Sequence, residues 1–343
     1  MLALPLLATQ GCASCANTGQ GLLGIMPGVL NDPANRSLRR AILSFGTSEF
    51  CKQMLVHNAP LKLSTDSPVI GRFYPTNCNL QELQNGDLFV QFGGYGYGYT
   101  NLSKKLTFTT NGAVEYNQDF QLDGSTMYVY FRPKRIASSD FKSHIIEQPV
   151  ASFLSSLSSI GDTFGSQLVS GKLGEGFTVI RDSSGSAEFG LGIVEVGKRP
   201  FHPFDVHGDN RITYENLRTE VHQNERDFIG PIEVKDSGRA LYVMAQLDGI
   251  PAIDLLVMDK APAEASLRYY FDYPVAGPLA GAPRVSDVVQ AQLPFTHTIP
   301  VPPGVYYIVL DNTPSAGTMM PPNNTLDDRA AVVSYVVQIG DAP

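Results

Sequence analysis

A cluster of histidines and carboxylates in the middle of the chain has residue types that bind metals. Its members fall within 21 positions: His202, Asp205, His207, Asp209, Glu220 and His222. Imidazole and carboxylate groups are common ligands of zinc and other transition metals. However, the cluster has no HExxH helix, no His-x-His pair and no second carboxylate set at fixed spacing. Because it lies on and beside a proline-rich connector, we expect these side chains to be hydrogen-bonded loop residues.

A long loop near the C-terminus carries oxygen donors of the kind that calcium prefers. The loop spans residues 311–328, which is long for a connection between strands, and such loops are often functional. Its candidate ligands are Asp311, Asn323, Asn324, Asp327 and Asp328. Asn and Asp also favour turns without any ion, and the spacing lacks the regularity of an EF-hand. Calcium binding and simple turn formation therefore both stay open for this loop.

The sequence contains no motif that supports catalysis. No Gly-x-Ser-x-Gly nucleophile elbow occurs, and Gly171 to Gly176 lacks the spacing of a phosphate-binding loop. The net charge of −8 argues against nucleic acid as a partner, because binding to phosphates needs a basic surface. We therefore expect a protein that is not an enzyme, that binds no nucleic acid and that needs no cofactor other than the candidate calcium ion.

Glycine and tyrosine alternate between Gly93 and Thr100. On an extended strand this alternation places Tyr95, Tyr97 and Tyr99 on one face and bare backbone on the other. A row of aromatic rings can stack sugars or bases, which makes these three residues candidates for ligand binding. The alternative, which we favour, is an aromatic rib that packs on a helix, or a flexible loop, because exposed aromatic rows are uncommon.

The four cysteines are Cys12, Cys15, Cys51 and Cys78. If Cys12 is modified, Cys51 and Cys78 are the obvious pair for a disulfide, and closing that loop would stabilise the fold by about 3–4 kcal/mol. The alternative is that both are buried thiols, since the choice depends on the compartment. Cys12 and Cys15 form a lone CxxC with no helical pattern after it, so we expect no redox role for them.

The first fifteen residues resemble the end of a bacterial lipoprotein signal. An apolar run from Leu2 to Ala8 precedes Gly11 and Cys12, and in such signals the cysteine becomes the lipid-carrying first residue of the mature chain. The resemblance implies a signal peptide, lipidation at Cys12 and an anchor to the cell envelope, at the outer membrane or its periplasmic face. The alternative is an apolar N-terminus on a cytosolic protein.

Changes in the spacing of apolar residues predict the helices and strands of the N-terminal half. Residues 16–34 read as a spacer, and a helix is predicted from Asp32 towards Leu55. Between Ala59 and Arg135 the pattern predicts a meander of antiparallel strands, with hairpin turns at Asn111-Gly112 and at Asp123-Gly124. A longer amphipathic helix is predicted over residues 147–171, because apolar residues recur there at intervals of three and four.

Alternating strands separated by Gly, Pro and Asp turns fill the C-terminal part. Arg239 to Leu247, Gly304 to Leu310 and Ala331 to Ile339 are the clearest runs. This pattern predicts an antiparallel β-sandwich of seven or eight strands. The segment from Lys198 to Phe204 is a proline-rich connector, and we place a domain boundary near it.

Two runs in the last third of the chain resemble bacterial pre-peptidase C-terminal domains. The stretch from Glu220 to Val234 has their polar turn, Asp-aromatic pair and strand, and Pro303 to Asn312 is similar to a late strand of these domains and of related GOLD-type sandwiches. The resemblance implies a non-catalytic β-sandwich used for binding or as an appendage of secreted proteins.

Together these features predict a mostly β protein with a few helices, organised in three parts. Residues 1–34 form the signal, lipid-anchor and spacer region, residues 35–200 an α+β domain, and residues 209–343 the β-sandwich. We expect a non-enzymatic envelope lipoprotein that acts as a structural or protein-interaction module and meets other envelope proteins. The alternatives are a carrier that holds an apolar ligand or lipid between the 147–171 helix and the N-terminal sheet, and an enzyme whose site the sequence does not reveal.

Overall fold

The computed structural model describes the chain in twelve stretches, and every structural statement below concerns these residues. They are residues 31–32, 34–35, 37, 43, 50–52, 54–64, 66–100, 104–146, 174–181, 187–206, 211–319 and 329–343. Cys12, Cys15 and the helix predicted over 147–171 lie outside the described residues. Lipidation and that helix therefore stay predictions.

The described chain is mostly β-strand, as the sequence predicts. Its strands are β1 (Ala59–Lys62), β2 (Val69–Glu82), β3 (Leu88–Thr100), β4 (Lys104–Asp123), β5 (Thr126–Ile146), β6 (Phe177–Arg181), β7 (Ala187–Leu191), β8 (Ile212–Val221), β9 (Arg226–Val234), β10 (Arg239–Asp248), β11 (Ala252–Asp259), β12 (Val285–Gln290), β13 (Phe295–Val301), β14 (Gly304–Asp311) and β15 (Ala331–Asp341). One helix, α1 (Lys260–Asp272), follows β11. Residues 50–52 and 54–56 are also helical, within the predicted first helix.

The N-terminal strands form the predicted antiparallel meander, in which β2 to β7 pair in chain order. The turn between β4 and β5 falls at Asp123-Gly124, where Gly124 has a φ of +57°, as the sequence predicts. One face of this sheet carries a phenylalanine-rich cluster that includes Phe73, Phe92 and Phe108. Phe50 packs against the same cluster, so the first helical segment covers part of that face.

The hairpin predicted at Asn111-Gly112 is wrong, because β4 runs straight through both residues. Gly112 lies opposite Phe92 of β3. A Cβ atom on Gly112 would come within 2.6 Å of the Phe92 ring. The glycine therefore makes room for a cross-strand aromatic ring, and the surrounding strand pairing outweighs the local preference of Asn-Gly for a turn.

The C-terminal strands form the predicted antiparallel sandwich. One layer contains β13, β10, β15 and β8, and the other contains β12, β11, β14 and β9. Apolar side chains from both layers, all of them between Val221 and Val337, form a continuous buried core. The sandwich core is therefore built from C-terminal residues alone.

Helix α1 interrupts a region whose pattern was dominated by strands. Its buried residues Ala263, Leu267 and Tyr270 recur at intervals of four and three, which is helical spacing. Pro262 lies in the first turn, where its missing N–H removes no internal hydrogen bond. The helix packs on the outer face of the second layer, against Leu256, Met258 and Val309.

The two halves join in one eleven-stranded sheet. Strand β2 of the meander pairs in parallel with β8 of the sandwich at Val69 and Thr219. The connector predicted at residues 198–204 lies between β7 and β8, as its position in the sequence requires. Independent folding of residues 209–343 stays a prediction.

Cys51 and Cys78 form a disulfide bond with a Cα–Cα distance of 5.3 Å. The bond ties the first helical segment to β2 beside the phenylalanine-rich cluster. Within the described stretches, no helix has both the length and the apolar character needed to cross a bilayer.

Candidate functional site

The predicted tyrosine row lies on β3, on the face that meets helix α1. Tyr97 meets Tyr270 edge to face at 5.1 Å between ring centroids, and Tyr95 meets Phe271 at 5.3 Å. Tyr97 and Tyr99 are only 4 % and 9 % exposed. Tyr95 and Tyr97 therefore pack beneath α1, as in the helix-packing interpretation, whereas Tyr99 stacks on His222.

The glycines between the tyrosines serve the opposite face. A Cβ atom on Gly96 would come within 2.6 Å of the Phe108 ring and of the Arg72 carbonyl oxygen. The phenylalanine-rich cluster therefore approaches the β3 backbone at Gly96 so closely that no side chain fits there. The alternation of Gly and Tyr thus separates two aromatic layers on the two faces of one strand.

Arg72 is the central charge at the junction of the two halves. Its side chain is fully buried, and its Nε and Nη2 atoms donate to the two carboxylate oxygens of Asp227 at 2.6 and 2.8 Å. Nη1 donates to Glu215 at 3.0 Å and to Asn58 at 2.8 Å, while Nη2 also donates to Tyr335 at 2.8 Å. All five N–H donors of a guanidinium are thereby used.

Asp227 is saturated by donors from three strands. Besides Arg72 on β2, Tyr97 on β3 donates from its hydroxyl at 2.9 Å, and Thr219 on β8 donates at 3.0 Å. The Tyr97 oxygen in turn accepts the backbone N–H of Phe228 at 2.8 Å. These donors hold the buried carboxylate in one position.

The protonation states at the junction follow from burial and from these partners. Burial would lower the pKa of Arg72, but Asp227 and Glu215 outweigh it and hold that pKa well above the usual value. Burial, together with the charge of Asp227, raises the pKa of Tyr97 well above its usual value. Tyr335 shows the same direction, mainly because of burial. These phenols are neutral hydrogen-bond donors at physiological pH and are poor bases.

A second buried arginine, Arg226, fixes α1 and the loop after β14. It forms an ion pair with Asp311 and donates to the Gly277 carbonyl at 2.7 Å and to Ser315 at 2.9 Å. Burial raises the pKa of Asp311, and the neighbouring Arg226 opposes that shift only in part. Tyr270 of α1 donates to Glu225, the residue before Arg226.

A small cleft lies where β2, β3 and the β8–β9 turn meet. Its space is about 10 Å³, close to the minimum that one water molecule occupies. Polar and aromatic side chains line it, among them Tyr99, Thr219, His222, Glu225 and Tyr270. The Tyr99 and His222 rings stack at 3.4 Å, and His222 also contacts Glu220 at 3.1 Å. The cleft has room for solvent but not for a sugar or a base.

The structure separates the histidines of the predicted cluster. His202 contacts Glu188 and the Asn216 carbonyl, whereas His222 stacks on Tyr99. His207 and Asp209 lie outside the described residues. In the parts of the chain that the structure describes, no three His, Cys, Asp or Glu side chains converge on a metal position.

Of the candidate calcium ligands, only Asp311 is described. Its carboxylate is buried and accepts hydrogen bonds from Arg226 and from Thr313. Asn323, Asn324, Asp327 and Asp328 lie outside the described residues. Calcium binding by this loop therefore stays a prediction.

Sequence reasoning overlooked Arg72 and its partners. Arg72 interrupts an apolar run that begins at Val69, and a charged residue inside such a run signals a buried ion pair. Asp227 belongs to the Asp-aromatic pair that resembles pre-peptidase C-terminal domains. Nothing in the sequence indicates that it contacts Arg72, which lies 155 positions earlier.

Comparisons with known proteins give this site no assignment. No protein-family model matches the chain, and no curated protein matches it. Matches among solved structures include a GH32 beta-fructofuranosidase of Bombyx mori, which is 10 % identical in sequence and has a TM-score of 0.12. That match covers 79 % of this chain and 66 % of the other, so the chain spans about two thirds of its length. A likeness at this TM-score carries no argument about fold or activity.

Proposed function

We propose that this protein is a non-enzymatic lipoprotein of the bacterial cell envelope that acts as a structural or protein-interaction module. The observation that supports this function best is the state of the charged groups at the junction. Asp227 and Glu215 both pair with the fully buried Arg72, and the adjoining cleft holds about 10 Å³. Groups in such an arrangement hold two halves together, whereas catalytic groups must reach a substrate.

The cysteines support the proposed compartment. Disulfides persist in the periplasm and at cell surfaces and are rare in the cytosol of mesophiles. Cys51 and Cys78 form such a bond, and both are partly exposed to solvent. An anchor at Cys12 would place the folded chain in that oxidising environment, joined to the membrane by the intervening spacer.

Membrane fractionation of the native host tests the anchor. The wild-type chain should sediment with the outer membrane and enter the detergent phase, whereas Cys12→Ser should be released into the soluble periplasmic fraction. Cys15→Ser is a matched control, because it removes a thiol three positions away and should leave fractionation unchanged. Equal fractionation of all three proteins would contradict the proposed anchor.

The interaction role is tested in the same host by crosslinking at the envelope. A short amine-reactive crosslinker should join the wild-type chain to defined envelope proteins, and the set of partners should shrink for Cys12→Ser, which keeps the fold but loses the location. An unchanged set of partners, or none in either strain, would contradict an interaction role that depends on the anchor.

A second candidate function is the carriage of an apolar ligand or lipid. The specific observation in its favour is the phenylalanine-rich face of the meander, on which the Phe131 and Phe177 rings stack at 4.4 Å. The helix proposed as the other wall of the site lies outside the described residues. Organic extraction of protein purified from the native envelope, followed by mass spectrometry, should recover a stoichiometric lipid if this function is right.

A further inference from the structure

The segment that joins the meander to the sandwich lies across the meander as a strap, which we define as residues 192–204. Its N-terminal end is held by β6. The Thr178 hydroxyl donates to the Gly192 carbonyl at 2.9 Å and accepts the Val194 N–H at 2.9 Å. The Gly192 N–H also donates to Gly176 at 2.9 Å. Because Thr178 is fully buried, this end of the strap is firmly fixed.

The N-terminal end of the strap also covers an apolar patch on β5 and β6. Tyr128, Tyr130 and Ile180 form this patch, all are at most 2 % exposed, and Val194 of the strap packs against them. Below the strap, Gly190 leaves no room for a side chain. A Cβ atom there would come within 2.7 Å of Val194 and 3.2 Å of Pro200.

His202 holds the C-terminal end of the strap. Its Nδ1 lies 2.9 Å from the Asn216 carbonyl oxygen on β8, and its Nε2 lies 3.3 Å from a Glu188 carboxylate oxygen on β7. A carbonyl oxygen and a carboxylate can only accept hydrogen bonds. Both ring nitrogens must therefore carry a proton, so the bound ring is an imidazolium cation.

Charged groups from every neighbouring element act on this contact. Arg199 of the strap donates to the other Glu188 oxygen at 2.6 Å, and Lys62 of β1 opposes the positive ring. Arg218 of β8 lies 5.8 Å from the Phe201 ring, beside the contact. Burial lowers the pKa of His202, but the bonds to Glu188 and Asn216 outweigh it and raise that pKa above 6.5.

We propose that the C-terminal half of the strap is a pH-sensitive latch, released when His202 loses a proton, while Val194 and the end held by Thr178 stay in place on the patch. A neutral ring has one N–H and one lone pair, so one of its two acceptors would then face another acceptor. The Asn216 side chain still bonds Phe204 at 2.7 Å, which limits the release to the segment before it.

The pH range follows from the directions of the two shifts. The pKa of His202 is raised in the folded protein. Its contribution to the stability of the closed strap is therefore complete below pH 6.5 and is lost as the pH rises through the folded pKa. Burial raises the pKa of Glu188, but His202 and Arg199 outweigh it and lower that pKa below 4.5. Its contribution is lost only as the pH falls through that lower value. The C-terminal half of the strap should thus be held in place between these limits and loosen outside them.

Hydrogen exchange of the full chain at pH 6.0 and 8.5, corrected for the intrinsic rates, tests this device. Amides of residues 195–203 should exchange faster at the higher pH, while those of β10 stay unchanged. Each unit by which the contact raises the pKa multiplies the opening equilibrium about tenfold once the ring is neutral. Unchanged corrected exchange of the strap would overturn the proposal.

Two variants separate the device from a general loss of stability. His202→Gln should exchange rapidly in the strap at both pH values, whereas His144→Gln, which alters an exposed histidine on β5, should behave as wild type. NMR titration of the six histidines should give a pKa above 6.5 for the signal missing in His202→Gln. A value at or below 6.5 would overturn the proposal even if the variant were poorly folded.

Discussion

Replacement of Arg72 by methionine should be strongly destabilising. Methionine keeps an unbranched chain of similar length but removes all five donors, and it leaves Asp227 and Glu215 without their cation. Because Arg72 is 0 % and Asp227 5 % exposed at the side chain, solvent cannot replace the lost partner. Removing one member of a buried ion pair costs about 3–5 kcal/mol.

Urea denaturation followed by circular dichroism measures this loss for the full chain. Arg135→Met is a matched control, because its ion pair with Glu115 has an arginine that is 68 % exposed. The control should change the free energy of unfolding by less than about 1 kcal/mol.

The pH dependence and a second substitution identify the cause. Protonation of Asp227 and Glu215 should remove the cost of burying them without their cation. The difference in the free energy of unfolding between wild type and Arg72→Met should therefore shrink as the pH falls towards about 4. Adding Asp227→Asn should recover part of the stability at neutral pH. A deficit below about 1 kcal/mol for Arg72→Met, equal to that of Arg135→Met, would refute the central role of this ion pair.

Three further perturbations have defined expectations. Cys51→Ser with Cys78→Ser opens a loop with a sequence separation of 27 and should lower the free energy of unfolding by about 3.5 kcal/mol, measured in urea against wild type with and without reductant. Gly112→Ala should cost about 1–3 kcal/mol by forcing the Phe92 ring aside, whereas Gly124→Asn, at a turn with open space, should cost less than about 1 kcal/mol. A fragment of residues 209–343 should unfold cooperatively, because its core is built from its own residues. Asp227→Asn should stabilise this fragment, since the fragment lacks Arg72. A molten fragment would contradict the predicted domain.

Local patterns predicted the elements whose side chains alternate between core and solvent. Ala331 to Ile339 became β15, and the turn at Asp123-Gly124 formed where its residue types require. The Asn111-Gly112 turn failed because a ring from another strand occupies the space above Gly112. Helix α1 was overlooked because its short apolar stripe lies among strong strand patterns.

The junction could not be predicted from the sequence for a different reason. Its ion pairs join residues that are separated by up to 155 positions and that lie on three strands, β2, β8 and β9. The tyrosine row could be predicted from the sequence, and a helix that covers it was one interpretation. The identity of that helix could not be predicted, because α1 lies more than 160 positions after the row.

Intact-mass analysis of the protein purified from its native host tests the central proposal most directly. The proposal predicts a chain that begins at Cys12 and carries the added mass of a lipid, with Cys51 and Cys78 two hydrogens lighter than the reduced form. A chain that begins at an unmodified Met1 would contradict the envelope anchor and, with it, the proposed function.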